Sequence, residues 1–96
     1  MTPEFHPAAQ SELAAAVTGG SERSPRLGRE LADEVGRIVD LLCEMPELGE
    51  RLDSRHRRFP LNRFPFAVVF RIDGEQLRVV AIAHRRQRPG YWLIRK

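Results

Sequence analysis

The sequence predicts an α+β fold in which a helical hairpin packs on a twisted, mainly antiparallel sheet. Two patterns carry that prediction. Apolar residues recur every three or four positions in the first half of the chain, as on the buried face of a helix, and alternate with other residues in the second half, as along a strand. A chain of 96 residues is long enough for one domain, 1–96, built from one layer of helices on one sheet.

The first half of the chain is expected to hold a brief strand and two helices. The strand is expected at residues 3–6, and Pro7 can open a helix because its missing N–H does no harm in the first turn. An alanine-rich helix is expected at residues 8–18 and should end at Gly19-Gly20. A second helix is expected from about residue 25 to Met45, where Pro46 ends it. Its apolar stripe is the clearest periodic signal in the chain and consists of Leu27, Leu31, Val35, Ile38, Leu42 and Met45.

The second half is expected to form the rest of the sheet. Residues 47–56 are charged and are expected to be a loop that does not pack. Residues 57–63 should form an interrupted or edge strand, because Pro60 has no N–H to donate. Residues 66–73 and 77–84 are apolar runs whose side chains should alternate between the two faces of a sheet, and an Asp-Gly turn joins them, which predicts a β-hairpin. One face of its second strand is expected to carry Leu77, Val79, Ala81 and Ala83, and the opposite face Arg78, Val80, Ile82 and His84.

Both faces of that second strand, 77–84, are largely apolar, so we expect it to be central in the sheet. The helices should cover one of its faces, and loops or a partner should cover the other. The segment 89–95 that follows is expected to make one helical turn or to remain irregular.

Charge is divided unevenly along the chain. Residues 1–54 hold five arginines and eleven acids, a balance of −6, whereas residues 55–96 hold ten arginines and Lys96 against two acids, a balance of +9. The C-terminal half should therefore present a basic surface. Such a surface attracts nucleic acid, an acidic protein segment or an anionic cleft, and the charge alone does not choose among them.

Several classes of protein are excluded by the sequence. Its longest apolar runs are five residues, too short for a membrane span, and because Glu4 stands where a basic region would be, we expect no signal peptide. Cys43 is the single cysteine, so no internal disulfide is possible, and a buried thiol in a reducing cytoplasm is expected. Together with His6 and His56 it shows no metal-ligand spacing. We therefore expect a cytoplasmic protein with no metal and no cofactor.

Five segments, in this order and spacing, carry a family resemblance: Phe-His-Pro-Ala-Ala-Gln-Ser-Glu-Leu at the N-terminus, Leu27-Gly28, Arg-Arg-Phe-Pro-Leu-Asn-Arg-Phe-Pro-Phe-Ala-Val-Val-Phe-Arg-Ile-Asp-Gly, Ala-Ile-Ala-His-Arg-Arg and Arg-Pro-Gly-Tyr-Trp. Through them, nearly the whole chain resembles the RelE/ParE family of toxins from bacterial type II toxin–antitoxin systems. The resemblance implies a βααβββ layout and a growth-inhibiting toxin of the plasmid-stabilisation type. It also implies a cognate antitoxin, which we expect to bind with an acidic, amphipathic tail and to form a hetero-oligomer with the toxin.

The resemblance leaves two targets open, because the family has two branches. RelE-like members cleave mRNA on the ribosome with basic side chains on two strands plus an arginine and a tyrosine near the C-terminus. Pro60 and Ala67 stand here where that branch would place a lysine and an arginine, and neither side chain can hold a charge or a proton. The prediction is therefore a ParE-like toxin that poisons DNA gyrase without catalysing a reaction. The alternatives are the ribosome-dependent mRNA endoribonuclease and an inactive family member.

Candidate site residues are basic and aromatic side chains of the second half. The candidates for a catalytic role are Arg58, Arg63, His84, Arg86, Arg88 and Tyr91. The residues expected to bind the target or the antitoxin are Arg57, Arg58, Arg63, Arg71, Arg85, Arg86, Arg88, Tyr91, Trp92 and Arg95. Two alternatives stay open. His84 either serves as a general base or fixes the chain's exit from the sheet by hydrogen bonding, and the C-terminal aromatic residues either stack on bases or pack inside the protein.

Overall fold

Two helices lie on one face of a five-stranded sheet in the computed structural model, which describes residues 1–96. The elements in chain order are β1 Thr2–Phe5, α1 Pro7–Arg23, α2 Pro25–Glu44, a 3₁₀ turn Pro46–Leu48, β2 Glu50–Arg51, β3 His56–Pro60, β4 Phe66–Asp73 and β5 Gln76–His84. The strand order is β1-β5-β4-β3-β2, and only the β1–β5 pair is parallel. The predicted α+β class and the mainly antiparallel sheet are therefore confirmed.

The first helix does not end where the sequence predicts. It passes through Gly19 and Gly20 and continues to Arg23, so that a single residue, Ser24, separates the two helices. The glycines permit close helix contact. A Cβ on Gly20 would lie 3.3 Å from the Cα of Gly28, and a Cβ on Gly28 would lie 2.8 Å from the carbonyl oxygen of Val17. The Gly-Gly pair was wrongly interpreted as a helix end because glycine favours helix ends as well as close packing.

The middle of the predicted α2 stripe, Leu31, Val35, Ile38 and Leu42, lies in the core, whereas Leu27 is half-buried outside it. Met45 lies beyond the last helical residue and is 41% exposed. The main core contains Ala9, Leu31, Val35, Ile38, Val39, Leu42, Leu61, Val68, Phe70, Leu77, Val79 and Ile82. Neither helix is long and apolar enough to cross a membrane.

The segment expected to be a loop, 47–56, contributes a strand. β2 pairs with β3 in the register Glu50↔Arg58, and a Cβ on Gly49 would lie 2.7 Å from Cε1 of the Phe70 ring. The loop prediction was wrong because it weighed polar side chains, which point to solvent, while the backbone pairs with its neighbour. β3 begins one residue earlier than predicted and ends at Pro60 rather than at residue 63.

A bulge changes which residues of β5 face the helices. Val69 pairs with Ala81 and Phe70 pairs with Val79, which leaves Val80 as the extra residue. As a result Ile82 joins the core under the helices, whereas Val80 and Ala81 both pack on the opposite side with Trp92. The strict alternation predicted for residues 77–84 is therefore wrong beyond Val79. β5 is an interior strand, paired on both sides, although β4 holds the middle position.

Residues 85–96, called here the tail, fold back along the sheet through successive turns. Backbone N–H groups of Tyr91, Leu93 and Arg95 each donate to the carbonyl three residues earlier, at 3.0 to 3.3 Å. The tail reaches the sheet face that the helices leave open, where Trp92 packs against Val80 and its neighbours. The loops or partner expected on that face are, in part, the tail of the chain itself.

Candidate functional site

A groove of about 1080 Å³ opens between the tail and the ends of strands β4 and β5. The loop 61–65 forms one wall, and its ends are joined by a 2.8 Å hydrogen bond from the Leu61 N–H to the Phe66 carbonyl. The turn that follows His84 forms the other wall, where the Arg85 N–H donates to the Pro65 carbonyl at 2.9 Å. The groove therefore brings together two segments separated by about 20 residues in the sequence.

The structure gathers most, but not all, of the candidate site residues at this groove. Those that line it are Arg58, Arg63, His84, Arg85, Arg88, Tyr91 and Trp92. The remaining candidates lie elsewhere. Arg57 donates to the Gly49 carbonyl at 2.7 Å, Arg71 is buried, Arg95 binds Glu12, and Arg86 is exposed outside the groove.

The arginines of the groove differ in their ionic partners. Arg58 pairs with Glu50 and Arg63 pairs with Glu30, each at 3.0 Å and with substantial exposure of the arginine. Arg85 and Arg88 are exposed and form no ion pair. The guanidinium of Arg63 also lies 5.8 Å from the centre of the Phe64 ring, within the range of a cation–π contact. The two walls of the groove therefore both carry positive charge.

Alanine residues of both strands lie beneath the groove, and Ala67 is buried there. Ala67 of β4 pairs directly with Ala83 of β5, so two methyl groups stand where longer side chains could reach up. On its other side Ala67 pairs with Pro60. The two positions that depart from the ribonuclease branch are thus neighbours in the sheet, and together they leave one uncharged stretch.

Tyr91 and Arg95 converge on a carboxylate of α1 that the sequence did not single out. Glu12 accepts the Tyr91 hydroxyl at 2.8 Å and two Arg95 nitrogens at 2.8 and 2.9 Å. It also accepts the buried Ile82 N–H at 3.0 Å, while Arg95 donates to the Val80 carbonyl at 2.9 Å. β1 pairs with β5 only as far as Val79. Beyond that residue, Glu12 and Arg95 supply hydrogen-bond partners for backbone groups at the edge of β5.

Charge and burial at this cluster set the protonation of its members. Burial would raise the pKa of Glu12, but the hydrogen bonds from Arg95, Tyr91 and Ile82 outweigh burial and lower it. Burial, followed by the bond to Glu12, raises the pKa of Tyr91 well above its usual range. The Tyr91 hydroxyl therefore keeps its proton in the hydrogen bond to Glu12 and is a weak acid toward any reacting group.

Trp92 and Arg71 serve the interior. Trp92 is 6% exposed, and its ring lies 4.6 Å from that of His56, centre to centre. Arg71 is equally buried and is bonded to Asp73 and to the carbonyl oxygens of Arg95 and Lys96. Of the two alternatives for the C-terminal aromatic residues, Trp92 follows the packing one, and Arg71 fastens the end of the tail to the sheet.

His84 forms hydrogen bonds that hold the turn after β5. Its Nδ1 accepts the Arg86 N–H at 3.1 Å, and its own N–H donates to the Gln87 side chain at 2.9 Å. Its ring also meets Phe66 edge-on at 5.1 Å. Both hydrogen bonds lie within the turn that takes the chain out of the sheet. The geometry matches the structural alternative for His84.

Three glutamates that shape the site were missed by the sequence reasoning. Glu12 holds the tail, Glu30 holds Arg63, and Glu34, only 6% exposed, accepts the Asn62 N–H in the groove wall. Glu12 and Glu34 share a signal that could have revealed them. Each lies at a three- or four-residue spacing from core residues of its helix, where an acid is buried only if it has a partner.

Comparisons with known proteins agree with this architecture. Residues 4–89 match the family model described as the ParE toxin of the type II toxin–antitoxin system parDE. The chain belongs to the ParE toxin family. Among solved structures, it is similar to a chain of the chromosomal ParDE toxin–antitoxin system from P. aeruginosa, with 19% identity and a TM-score of 0.75, covering 88% of this chain and 95% of that one. A search of curated proteins found no match.

Membership in the ParE family, a component of ParDE toxin–antitoxin systems, confirms the resemblance given by the sequence. It also implies an antitoxin partner, since the ParE family is defined by two-component systems. The likeness to the P. aeruginosa chain supports the fold, and the groove described above is a feature of this chain's own residues.

Proposed function

We propose that this ParE-family chain inhibits growth by poisoning DNA gyrase, without catalysing a reaction itself, and that a cognate antitoxin neutralises it. The observation that carries the proposal is the uncharged Pro60–Ala67 pair beside the groove. A ribonuclease needs a base, an acid and cations around the reacting phosphate. Each missing preorganised donor costs roughly 3 kcal/mol of transition-state stabilisation, which is about two powers of ten in rate.

The other candidate groups add to this deficit. The Tyr91 hydroxyl is bound to Glu12, and His84 accepts the Arg86 N–H through the nitrogen that would otherwise be free to act as a base. What remains at the groove is a set of arginines, which bind anions well but do not transfer protons at neutral pH. A binding role therefore suits these residues better than a catalytic one.

The proposed antitoxin contact rests on charge and exposed apolar surface. Leu52 and Leu93 line the groove and are 40% and 56% exposed, and the adjacent Ile94 is 89% exposed. Arg85 and Arg88 lie nearby without acidic partners. An acidic, amphipathic segment that folds on binding would cover both kinds of surface, with charge steering the encounter and apolar side chains slowing release.

A ribosome-dependent endoribonuclease is the second candidate, and one observation favours it. Arg58, Arg63, Arg85 and Arg88 surround one groove and could stabilise a phosphorane. The two candidate functions differ in the nucleic acid that they damage in the cell. The ribonuclease produces mRNA ends at fixed positions within codons, whereas the gyrase poison leaves mRNA intact and damages DNA.

Induced expression in bacteria, with and without a cognate antitoxin, tests the proposal. We expect growth arrest, plasmid DNA with altered supercoiling and broken strands, intact mRNA by primer extension, and full rescue by the antitoxin. Codon-positioned mRNA cuts with normal supercoiling would replace the proposal with the ribonuclease. Normal growth, with the chain present and folded, would identify an inactive family member.

A further inference from the structure

We infer that a second surface, the crevice between α2 and the end of β3, binds a protein segment in which one arginine lies between apolar residues. The crevice lies between residues 34–41 and 59–63 and has a volume of about 500 Å³. The inference goes beyond the proposed function, because it concerns another surface and a partner segment of opposite charge. It rests on a buried carboxylate that no cation neutralises and on the apolar and acidic surface around that carboxylate.

The buried carboxylate belongs to Glu34. Its side chain lines the crevice although the residue is only 6% exposed, and its Oε2 accepts the Asn62 N–H. The other oxygen, Oε1, has no hydrogen-bond partner and is not sealed from solvent, so it opens into the crevice. An acid at such depth ordinarily has a cation or several donors, because an isolated buried charge is costly. Glu34 has one backbone donor and one open acceptor.

Two arginines line the same crevice, but neither neutralises Glu34. Arg63 is paired with Glu30 at 3.0 Å, and Arg37 is exposed and forms no ion pair. Arg37 lies three residues beyond Glu34, a spacing that places both side chains on one side of the helix. Because the arginine within reach does not pair with the carboxylate, a cation that enters from outside meets an unoccupied acceptor.

The apolar lining of the crevice suits an arginine that is part of a polypeptide. Leu41 and Phe59, both half-buried, and the exposed Pro60 offer surface against which the methylene stem of an arginine can lie while its guanidinium reaches Glu34. A guanidinium is more weakly hydrated than an ammonium group, so it loses less hydration on entering. The apolar surface continues one turn along α2 to Met45, which is 41% exposed, and a polypeptide can cover this length whereas a small free cation cannot.

The charge around the crevice favours a basic segment over an acidic one. Residues 33–50 hold six acids and one arginine, a balance of −5, whereas residues 55–96 have a balance of +9. Two of these acids, Asp40 and Glu44, are exposed on α2 and would attract a positively charged segment as it approaches. The segment expected at the groove is acidic, so the crevice requires a different segment, one that is basic and apolar.

Nuclear magnetic resonance of the isotopically labelled full chain tests the site, with n-butylguanidinium as the probe and n-butanol as its uncharged control. We expect n-butylguanidinium to shift the amide signals of residues 34–41 and 59–63, and n-butanol to leave them in place. Glu34→Gln keeps an oxygen that can accept the Asn62 N–H, and it should abolish the shifts. Glu44→Gln is the matched control, because it removes an exposed acid of α2 outside the crevice, and the shifts should persist.

Fluorescence anisotropy tests the proposed partner segment. The probe is a labelled helical peptide with leucines at three- and four-residue spacing around one central arginine, and its control carries citrulline, the uncharged analogue of arginine, at that position. We expect the wild type to bind the arginine peptide about tenfold more tightly than the citrulline peptide, because a hydrogen-bonded ion pair forms only with the first. Glu34→Gln should bind both peptides equally, and Leu41→Asn should weaken the binding of both. Thermal melts check that each variant is folded.

Three results would overturn the inference: no shift with n-butylguanidinium, equal affinity of the wild type for the two peptides, or equal losses in Glu34→Gln and Glu44→Gln. The first two use only the wild type, so they decide the matter even if a variant fails to fold. An arginine preference that appears only after Arg37→Ala would mean that Arg37 neutralises Glu34, and would also overturn the inference. None of these measurements involves gyrase, so the inference and the gyrase proposal can fail separately.

Discussion

Replacing Glu12 by alanine should destabilise the fold more than any other single change to an acid of α1. The substitution leaves the Ile82 N–H, which belongs to a residue only 1% exposed, without an acceptor, and it leaves the guanidinium of Arg95, 16% exposed, without its counter-ion. A buried unsatisfied N–H costs about 1–3 kcal/mol, and breaking a partly buried ion pair adds to that cost. We therefore expect a loss of about 3 kcal/mol in the free energy of unfolding.

Urea unfolding followed by circular dichroism measures this loss. For a domain of this size it corresponds to a fall in Tm of about 12–24 °C. Glu22→Ala is the matched control, because Glu22 is an exposed acid of the same helix with no hydrogen bond, and its removal should change stability by less than about 0.5 kcal/mol. If the two alanine variants unfolded at the same urea concentration, the tail would not be held by Glu12.

The same contact predicts a dependence on pH. The pKa of Glu12 is lowered from its ordinary value of 4.5 in the folded chain. Its contribution is therefore complete above that value and is lost as the pH falls through the lowered folded pKa. The Tm of the wild type should decline over this acidic range more steeply than that of Glu12→Gln, which cannot titrate. Parallel declines would show that other acids account for the acid sensitivity.

Three further substitutions, one of them paired with a control, test the packing of the helices, of the tail and of the groove wall. Gly28→Ala should destabilise the fold by about 1–3 kcal/mol, because the added Cβ meets the Val17 carbonyl. Gly36→Ala is the control: its added Cβ meets nothing within 4 Å, so it should be neutral or stabilise by up to about 1 kcal/mol. Urea unfolding compares the two variants. Trp92→Ala should cost about 3–5 kcal/mol, measured by circular dichroism, and an unchanged midpoint would mean that the tail is not packed. Glu34→Ala should leave the Asn62 N–H without an acceptor and speed amide exchange in residues 61–65, and unchanged exchange would contradict that contact.

The fold could be predicted largely from short-range patterns, and its errors arose where tertiary contacts decide. The α2 stripe and the Asp-Gly hairpin carry their information within a few residues, and both are present in the structure. The extension of α1 through Gly20 depends instead on Gly28 of the next helix. Likewise, the bulge at Val80 reflects pairing between two strands and has no signature in the alternation of β5 alone.

For the candidate site, the sequence predicted residue types better than positions. The excess of arginine after residue 54 led to Arg58, Arg63, Arg85 and Arg88, which do share one groove. It could not separate them from Arg71 and Arg95, which are bound to partners more than 20 residues away in the chain. The contact of Arg95 with Glu12 spans 83 residues, and no local pattern encodes such a pairing.

Supercoiling by purified gyrase in the presence of the purified chain tests the central claim most directly, namely that this ParE-family protein acts on a DNA enzyme by binding rather than by catalysis. The account predicts that the chain inhibits supercoiling in proportion to its concentration and leaves cleaved DNA bound to gyrase. The antitoxin should relieve this inhibition. Undiminished supercoiling at saturating chain, together with cleavage of ribosome-bound mRNA, would contradict it.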